Sequence, residues 1–476
     1  MTYDPRFRRT KIVATLGPAS SDEGTIRDMI EAGVNVVRIN SAHGTPQDRA
    51  EMIDVVHCLR DMVKRHVGVL VDLQGPRIRV GSLSKPLELE AGREVVFAPQ
   101  DASSGDEIPT TYSALARDVR VGSRILLDDG LLAVDVSRID KDRVVGVVRY
   151  GGVLRSNKGI NLPNDRVSAP AVTAKDRVDV ELALEHEADM IGISFVSRAE
   201  DVEEVRSLVG TRARLVAKIE RTAALQDIER IVKAADAIMV ARGDLGVELP
   251  FEEVPLTQKH LIGVGMRQGR PVITATQMLE SMVNSPRPTR AETSDVANAI
   301  LDGTDAVMLS AETAVGKYPV VVVEAMARII TEIEQAILKD GTEWGRHRSQ
   351  DETRERGQVE DAIASAAIAA AEMLSVPLIL CVTKSGFTAR TIAANRPAIP
   401  VLGLSTEWRT CRYLTVVWGV LPMQADAVPN YETMLDVARG ALLEREYAKV
   451  GDRIIVTAGV PFELPGTTNL IKVETV

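Results

Sequence analysis

The chain predicts an α/β fold: a (β/α)8 TIM barrel, an all-β insert within it, and a second α/β domain after it. Three observations lead there. Short apolar strands alternate with helix-length segments up to about residue 340. Eight such strand–helix units can be counted, the number that closes a barrel of parallel strands. Between Gly75 and Ala169 the rhythm breaks into short strands, Gly and Pro turns and charged hairpins.

Lys11–Gly17 (KIVATLG) reads as the first strand, with Ser21 and Asp22 as N-cap candidates for a helix to about Ala32. Val34–Ser41 is the second strand, with a helix through Lys64, and Val67–Leu73 is the third. The insert follows, bounded near Pro76 and Pro170 and marked by LELEAGREVVF and RILLDDGLLAV. The alternation resumes at Val172 with a helix to about Glu187. Strands are expected at Met190–Phe195, Leu215–Glu220, Ala237–Ala241, Pro271–Ala275 and Ala306–Leu309. Helices fill the gaps, running through Val209, to Ala235, to about Arg267, from about Arg290 and after Pro319. An open doubly wound sheet is the alternative, but no GxGxxG follows the first strand. TEWGRHRSQDETRER, between Gly341 and Gly357, reads as a linker. Beyond it come an Ala-rich helix (Asp361–Leu374), a strand (Leu378–Val382) and a turn, Thr383–Thr388. The expected domains are residues 1–74 and 170–340 (barrel), 75–169 (insert) and 341–476 (C-terminal α/β).

The 476 residues are 45% hydrophobic and carry a net charge of −10, which argues against nucleic acid or an anionic membrane as partner. Cys58, Cys381 and Cys411 are far apart and form no CxxC pair, so neither a disulfide frame nor a zinc site is expected. The start, MTYDPRFRRTKIV, shows no apolar signal segment, and no run approaches the roughly 20 apolar residues of a membrane helix. A reducing cytoplasm is the expected compartment.

The most informative stretch is Leu215–Gly246. Two buried-looking strands end there in charge: Lys218 and Glu220 close one, and Arg242, Gly243 and Asp244 the other. The second strand ends with Arg38, Asn40 and His43, Asp72 ends the third, and the seventh leads into Thr276. Any one of these reads best as a solvated residue or a structural ion pair. Together, at one end of successive strands, they read as an active site at the barrel mouth. Glu220 and Asp244 are hard oxygen ligands suited to Mg²⁺ or Mn²⁺. Lys218 shares a strand face with Glu220, and with Arg38 it brings positive charge to the same centre. Such a set serves phosphoryl transfer. It would equally stabilise an enolate beside a carboxylate, so both chemistries stay open.

Longer motifs narrow this. KIVATLGPAS (Lys11–Ser20), VVRIN with His43–Gly44, NKGINLP (Asn157–Pro163) and AKIE (Ala217–Glu220) occur in order. MVARGDLGVELP (Met239–Pro250), ATQMLESM (Ala275–Met282), RPTRAE and SDVANAILDG (to Gly303) follow. In these motifs the chain resembles the pyruvate kinase family over nearly its whole length. The resemblance implies a mobile small β-barrel lid after strand three and a regulatory C-terminal domain. It implies transfer of the phosphoryl group of phosphoenolpyruvate to ADP, giving pyruvate and ATP. By position, Lys218 would stabilise the transferring phosphoryl group, Glu220 and Asp244 would hold Mg²⁺, and Arg38 would grip the substrate phosphate. The amides of Gly243 and Asp244, with Thr276, would hold the substrate carboxylate, and Thr276 would sit near the carbon that is protonated. Asn40, His43, Arg79 and Lys158 would contact the nucleotide, with Lys158 delivered by the lid. The family is usually a homotetramer.

The chain departs from the family pattern in places. Ile39-Asn-Ser-Ala-His43 stands where Leu-Asn-Phe-Ser-His is usual, so the hydroxyl that ligates K⁺ in the family is missing at Ala42. Leu73, Gln74 and Arg77 replace the Thr, Lys and Glu of potassium-dependent members. Arg77 is therefore expected to supply the monovalent charge, so that K⁺ is not required; the competing reading is a surface residue of the hinge. Ala311 stands in Ser310-Ala-Glu-Thr313 where Gly is usual. Thr383, Lys384, Ser385, Gly386 and Thr388 resemble the family's effector loop, with Thr467, Thr468 and Asn469 as further matches. Phe387 stands where some sugar-bisphosphate-responsive members have Arg, which favours a sugar monophosphate or a nucleotide monophosphate as effector. Another enolate enzyme, such as an aldolase or phosphomutase, would not need the lid or Lys158. A non-catalytic sensor could lose Lys218, Glu220 or Asp244, and all three are present.

Overall fold

The computed structural model describes residues 7–163, 168, 170–340, 359–426, 431–460 and 468–476. The expected linker between Gly341 and Gly357, and Thr467, lie outside these residues.

Eight parallel strands close a ring. They are β1 (Lys11–Thr15), β2 (Val36–Asn40), β3 (Gly68–Asp72), β4 (Met190–Ile193), β5 (Arg214–Ile219), β6 (Ala237–Ala241), β7 (Val272–Ala275) and β8 (Ala306–Leu309). β8 pairs back onto β1, with Lys11 opposite Ala306, so the open-sheet alternative is excluded. Strand periodicity explains the layers. Ile12 and Ala14, Val37 and Ile39, and Val69 and Val71 pack outward among the helices. Val13, Val36, Leu70 and Val216 belong to the interior cluster. Two residues further along the same inward rows stand Thr15, Arg38, Asp72 and Lys218. The interior is apolar in this middle layer and charged at the mouth because single strands change character along their length.

Several of the barrel's helix starts are set by side-chain caps. Asp22 accepts from the Thr25 amide, and Thr45, Thr173 and Thr289 each form a capping box with an acid three residues on. Strand β6 stops at Ala241. Arg242–Glu248 forms a short helix, and a second helix, Val254–Arg267, follows it. The sequence suggested one helix after a strand ending in Arg-Gly-Asp. Pro250 divides it, since the residue before a proline is pushed out of the helical region, and Leu249 sits at ψ 152°.

The insert is a six-stranded sheet in the order Ile160–Asn161, Arg124–Leu127, Leu132–Asp140, Arg143–Tyr150, Glu94–Pro99, Ile108–Thr110. A ribbon of Leu87–Leu89 and Gly152–Leu154 lies beside it. Arg79 bridges to Gly159 and Val80 to Thr110, so residues 79–80 join the two edges and curl the sheet into a small barrel. Phe97, Ile108, Ile125, Val134 and Leu154 fill its core.

The C-terminal domain has five strands, β9 (Ile379–Val382), β10 (Val401–Ser405), β11 (Val420–Gln424), β12 (Arg453–Ala458) and β13 (Leu470–Thr475), ordered β11–β10–β9–β12–β13. Only β13 runs antiparallel. This domain packs on the barrel floor, where its Tyr413, Val416 and Val417 join the barrel's interior cluster.

The floor follows one rule. The residue just before each even-numbered strand accepts the amide of a residue at the start of the preceding odd strand. Asn35 takes Ile12 at 3.0 Å, Asp189 takes Val69 at 2.8 Å, Asp236 takes Leu215 at 2.9 Å and Asp305 takes Val272 at 3.0 Å. The C-terminal domain uses three of these positions. Arg412 lies 3.6 Å from Asp189, the Tyr413 hydroxyl donates to the Asp236 carbonyl, and Arg396 pairs with Asp305. Among the described residues no helix is long and apolar enough to cross a membrane.

Candidate active site

At the barrel mouth, four charged side chains from three strands form one network. Arg38 on β2 donates Nε and Nη2 to Asp72 Oδ2 on β3 at 2.8 and 2.6 Å, and Nη1 to Thr15 on β1 at 3.0 Å. Lys218 on β5 donates to the Ser194 hydroxyl at 2.8 Å. It also lies 2.9 Å from Glu220 Oε1 and 3.2 Å from Asp72 Oδ1. Glu220 Oε2 accepts the Phe195 amide at 2.7 Å, which holds Phe195 in the left-handed region at φ 57°. All of these except Phe195 are buried.

Burial alone would raise the Asp72 pKa, but Lys218 and Arg38 beside it keep it below the ordinary aspartate value. Burial likewise opposes the Lys218 ammonium. Asp72 and Glu220 outweigh that, and its pKa rises above the ordinary lysine value. Asp244 behaves differently. Burial first, and the Glu220 carboxylate second, push it up to about 6. Two crowded hard carboxylates, one destabilised by the other, fit a divalent cation. Among the described residues no group of three or more His, Cys, Asp or Glu side chains forms a ligand cage, so other oxygens would have to complete the shell.

Thr276 follows β7 at φ 70°, and Gln277 follows at φ 54°. The Thr276 hydroxyl accepts the Gly243 amide at 2.7 Å and donates to the Ala275 carbonyl at 2.6 Å. Two struts hold this loop, one from the partly buried Arg242 and one from the buried Glu312. Arg242 donates to the Thr276 carbonyl at 2.8 Å while pairing with Asp295 at 2.7 Å. Glu312 accepts the amides of Leu279 at 3.0 Å and Ser310 at 2.6 Å. Ala311 opens the short helix Ala311–Ala314, a conformation that does not need the glycine usual there.

Two cavities meet over this network. One, of about 790 Å³, is lined by Arg38, Asn40, His43, Lys218, Glu220 and Asp244, among others. The other, of about 1450 Å³, runs beneath the insert past Arg79, Lys158, Gly243 and Asp244. Arg77, Phe195, Asp244, Thr276 and Ser310 line both.

Comparison with known proteins reads this arrangement. Residues 7–323 match the family model "Pyruvate kinase, barrel domain", and residues 361–474 match "Pyruvate kinase, alpha/beta domain". The chain belongs to the pyruvate kinase family. It is accordingly a phosphotransferase. It is 42% identical to the pyruvate kinase of Geobacillus stearothermophilus, over 98% of this chain and 80% of that one. It is also 42% identical to the pyruvate kinase of Methylorubrum extorquens, over 98% of this chain and 97% of that one. A solved pyruvate kinase structure from Cryptosporidium parvum superposes with a TM-score of 0.91 at 32% identity, covering 99% of this chain and 97% of that one.

The fold brings Arg38, Lys218, Glu220, Asp244, Thr276 and Arg77 around one junction of cavities. It divides the other four expected contacts between the two cavities: Asn40 and His43 line the smaller, Arg79 and Lys158 the larger. In this conformation each has local ties or exposure. Asn40 Oδ1 accepts the Ala42 amide, Arg79 donates to the Asn157 carbonyl, Lys158 pairs with Asp128 at 2.8 Å, and His43 is exposed. The Thr383–Thr388 loop is far off, at the barrel floor, where the Ser385 carbonyl accepts from Arg214 at the start of β5.

Sequence reasoning named Asp72 and Arg242 at strand ends without giving them a role, and passed over Thr15, Ser194 and Glu312. The inward register of Thr15 was readable from strand alternation. The others act through contacts with residues far away in sequence, which a single chain does not display.

Proposed function

We propose that this pyruvate kinase transfers the phosphoryl group of phosphoenolpyruvate to ADP at the junction of the two cavities, with Mg²⁺ and without K⁺. One observation carries the reading: Arg38, Lys218, Glu220 and Asp244 converge at one mouth under a β domain built on a separate core. Arg38 binds the substrate phosphate with the donors not used by Asp72 and Thr15. Lys218 neutralises charge on the moving phosphoryl group, where a fixed, partly desolvated cation is most effective. Glu220 and Asp244 would hold the divalent ion, which when bound adds charge neutralisation between the phosphates.

Thr276 is the carboxylate contact together with the amides of Gly243 and Asp244. Its hydroxyl now occupies the Gly243 amide, so substrate entry exchanges that bond for one to the carboxylate. Asn40 and His43 on one wall and Arg79 and Lys158 on the other are the nucleotide contacts. Their division between two cavities supports closure of the insert over the substrates, which would also exclude water as a competing acceptor.

Arg77 takes the place of the monovalent cation. It opens onto both cavities, and its charge acts on Asp244. The surface-hinge reading leaves that placement unexplained. The Thr383–Thr388 loop takes a phosphorylated effector, a sugar monophosphate or a nucleotide monophosphate. Gly386 at φ 83° supports a tight backbone turn there. Two of its hydroxyls are engaged internally: Thr383 accepts the Gly386 amide, and Thr388 bonds Thr468 at 2.8 Å. The assembly is a homotetramer, to be read by light scattering.

The test is a coupled assay of pyruvate formation in K⁺-free buffer, then with K⁺ at constant ionic strength, with and without AMP and sugar phosphates. Full activity without K⁺ is expected, and Arg77→Glu should introduce K⁺ dependence. Activity only with K⁺ would remove the role of Arg77 and leave the reaction intact.

A further inference from the structure

Asp72 ends β3 beside Asn40 on one side and Gly192 on the other. It is only 1% exposed and lines neither cavity, so it does not touch substrate. Its two oxygens serve different cations. Oδ2 takes two hydrogen bonds from Arg38, at 2.8 and 2.6 Å. Oδ1 faces the Lys218 ammonium at 3.2 Å as an ion pair.

We infer that Asp72 is a positioning residue for phosphoryl transfer, setting Arg38 for the substrate phosphate and Lys218 for the moving phosphoryl group. The inference rests on the roles proposed above for those two cations. Donor counting supports it. A guanidinium has five N–H donors. Two go to Asp72 and one to Thr15, whose own hydroxyl is spent on the Leu309 carbonyl at 2.9 Å. The remaining two are left for a ligand, on a side chain fixed from both flanks. Lys218 is held by a hydrogen bond to Ser194 at 2.8 Å and by ion pairs with Glu220 at 2.9 Å and Asp72 at 3.2 Å. The ammonium is thus held in place between two fixed counter-charges. Such fixing before substrate arrives is how positioning lowers a barrier.

Gly192 is part of the device. A Cβ added there would stand 2.8 Å from Asp72 Oδ1. Its backbone is not in the left-handed region, so the glycine provides room for the carboxylate rather than a special turn.

A purely structural ion pair would also be buried and paired, so the test must separate the two. Phosphoenolpyruvate affinity is titrated calorimetrically for the parent, Arg38→Ala, Asp72→Asn and the double variant, each confirmed folded by its melting curve. Because Asp72 acts through Arg38, Asp72→Asn should weaken binding about tenfold in the parent and less than about twofold in the Arg38→Ala background. It should also lower kcat by more than it raises KM, since Lys218 acts on the moving group. Equal losses in both backgrounds, or no loss, overturn the inference while leaving Arg38 as a ligand. Parent-like binding by Arg38→Ala overturns both readings. Gly192→Ala, which presses on the same carboxylate, repeats the cycle should Asp72→Asn fold poorly.

Discussion

Arg396 of the C-terminal domain and Asp305 at the foot of β8 form a buried ion pair, Nη2 to Oδ2 3.0 Å. Asp305 is otherwise occupied by the amides of Val272 and Trp418, and Arg396 also reaches the Gly303 carbonyl and stacks on the Trp418 ring. One side chain thus ties the barrel floor, the C-terminal domain and the start of β7 together. Removing one partner of a buried pair leaves the other charged without compensation, typically at about 3–5 kcal/mol. Arg396→Ala should lower the urea midpoint clearly. A midpoint unchanged from the parent would show that the pair adds nothing to the domain seam.

Lys11 predicts a pH dependence of stability. Its Nζ donates to the Val420 carbonyl at 2.8 Å across the same seam. Burial, with Arg8 and Arg65 opposing the charge and Glu334 and Asp305 favouring it, lowers its pKa from 10.5 to about 7. The folded pKa lies below the unfolded one, so the unfolded chain holds the extra proton between about 7 and 10.5. Stability should therefore rise with pH through that window, by up to about 1.4 kcal/mol per pH unit from this group. Below pH 7 the full cost is present. Urea unfolding of the parent and Lys11→Met at pH 7 and pH 9 reads it, and the variant should lose most of the slope.

The proposed role of Lys218 sets the largest loss of activity. Lys218→Met should lower kcat by about 10³-fold, near the upper range for removing one stabilising donor. The KM for phosphoenolpyruvate should move far less, because Arg38 keeps the substrate phosphate. A variant whose whole loss sits in KM would assign Lys218 to ground-state binding instead.

Removal of divalent metal should abolish activity, and added Mg²⁺ should restore it. Glu220→Gln should raise the half-saturating Mg²⁺ by at least about tenfold, since one of two protein carboxylates is lost. Mg²⁺ titration followed by calorimetry checks this without turnover. Unchanged affinity would remove Glu220 from the ligand set.

Much of the fold was legible because the signals are local. Strand alternation and helix caps such as Asp22 and Thr289 depend on neighbours within a few residues. Lys218, Glu220 and Asp244 were legible for a related reason: charge at the end of an apolar strand is anomalous in one dimension. The helix break at Leu249–Pro250 was also local and was available in the proline, but the periodic pattern on either side masked it.

The sequence by itself determined the eight strand–helix units, the insert after the third strand, and the set of charged residues that reach the mouth. Those follow from period, turn chemistry and burial preference, which act along the chain. Tertiary structure decided which charges meet. It set Asp72 between Arg38 and Lys218 and divided the expected nucleotide contacts between two cavities. It also placed Asn35, Asp189, Asp236 and Asp305 at equivalent points of the barrel floor. Barrel closure brings β1 and β8 together across 294 residues, as in the Thr15–Leu309 hydrogen bond. Pairings over such separations depend on which strands become neighbours, and no local preference encodes that.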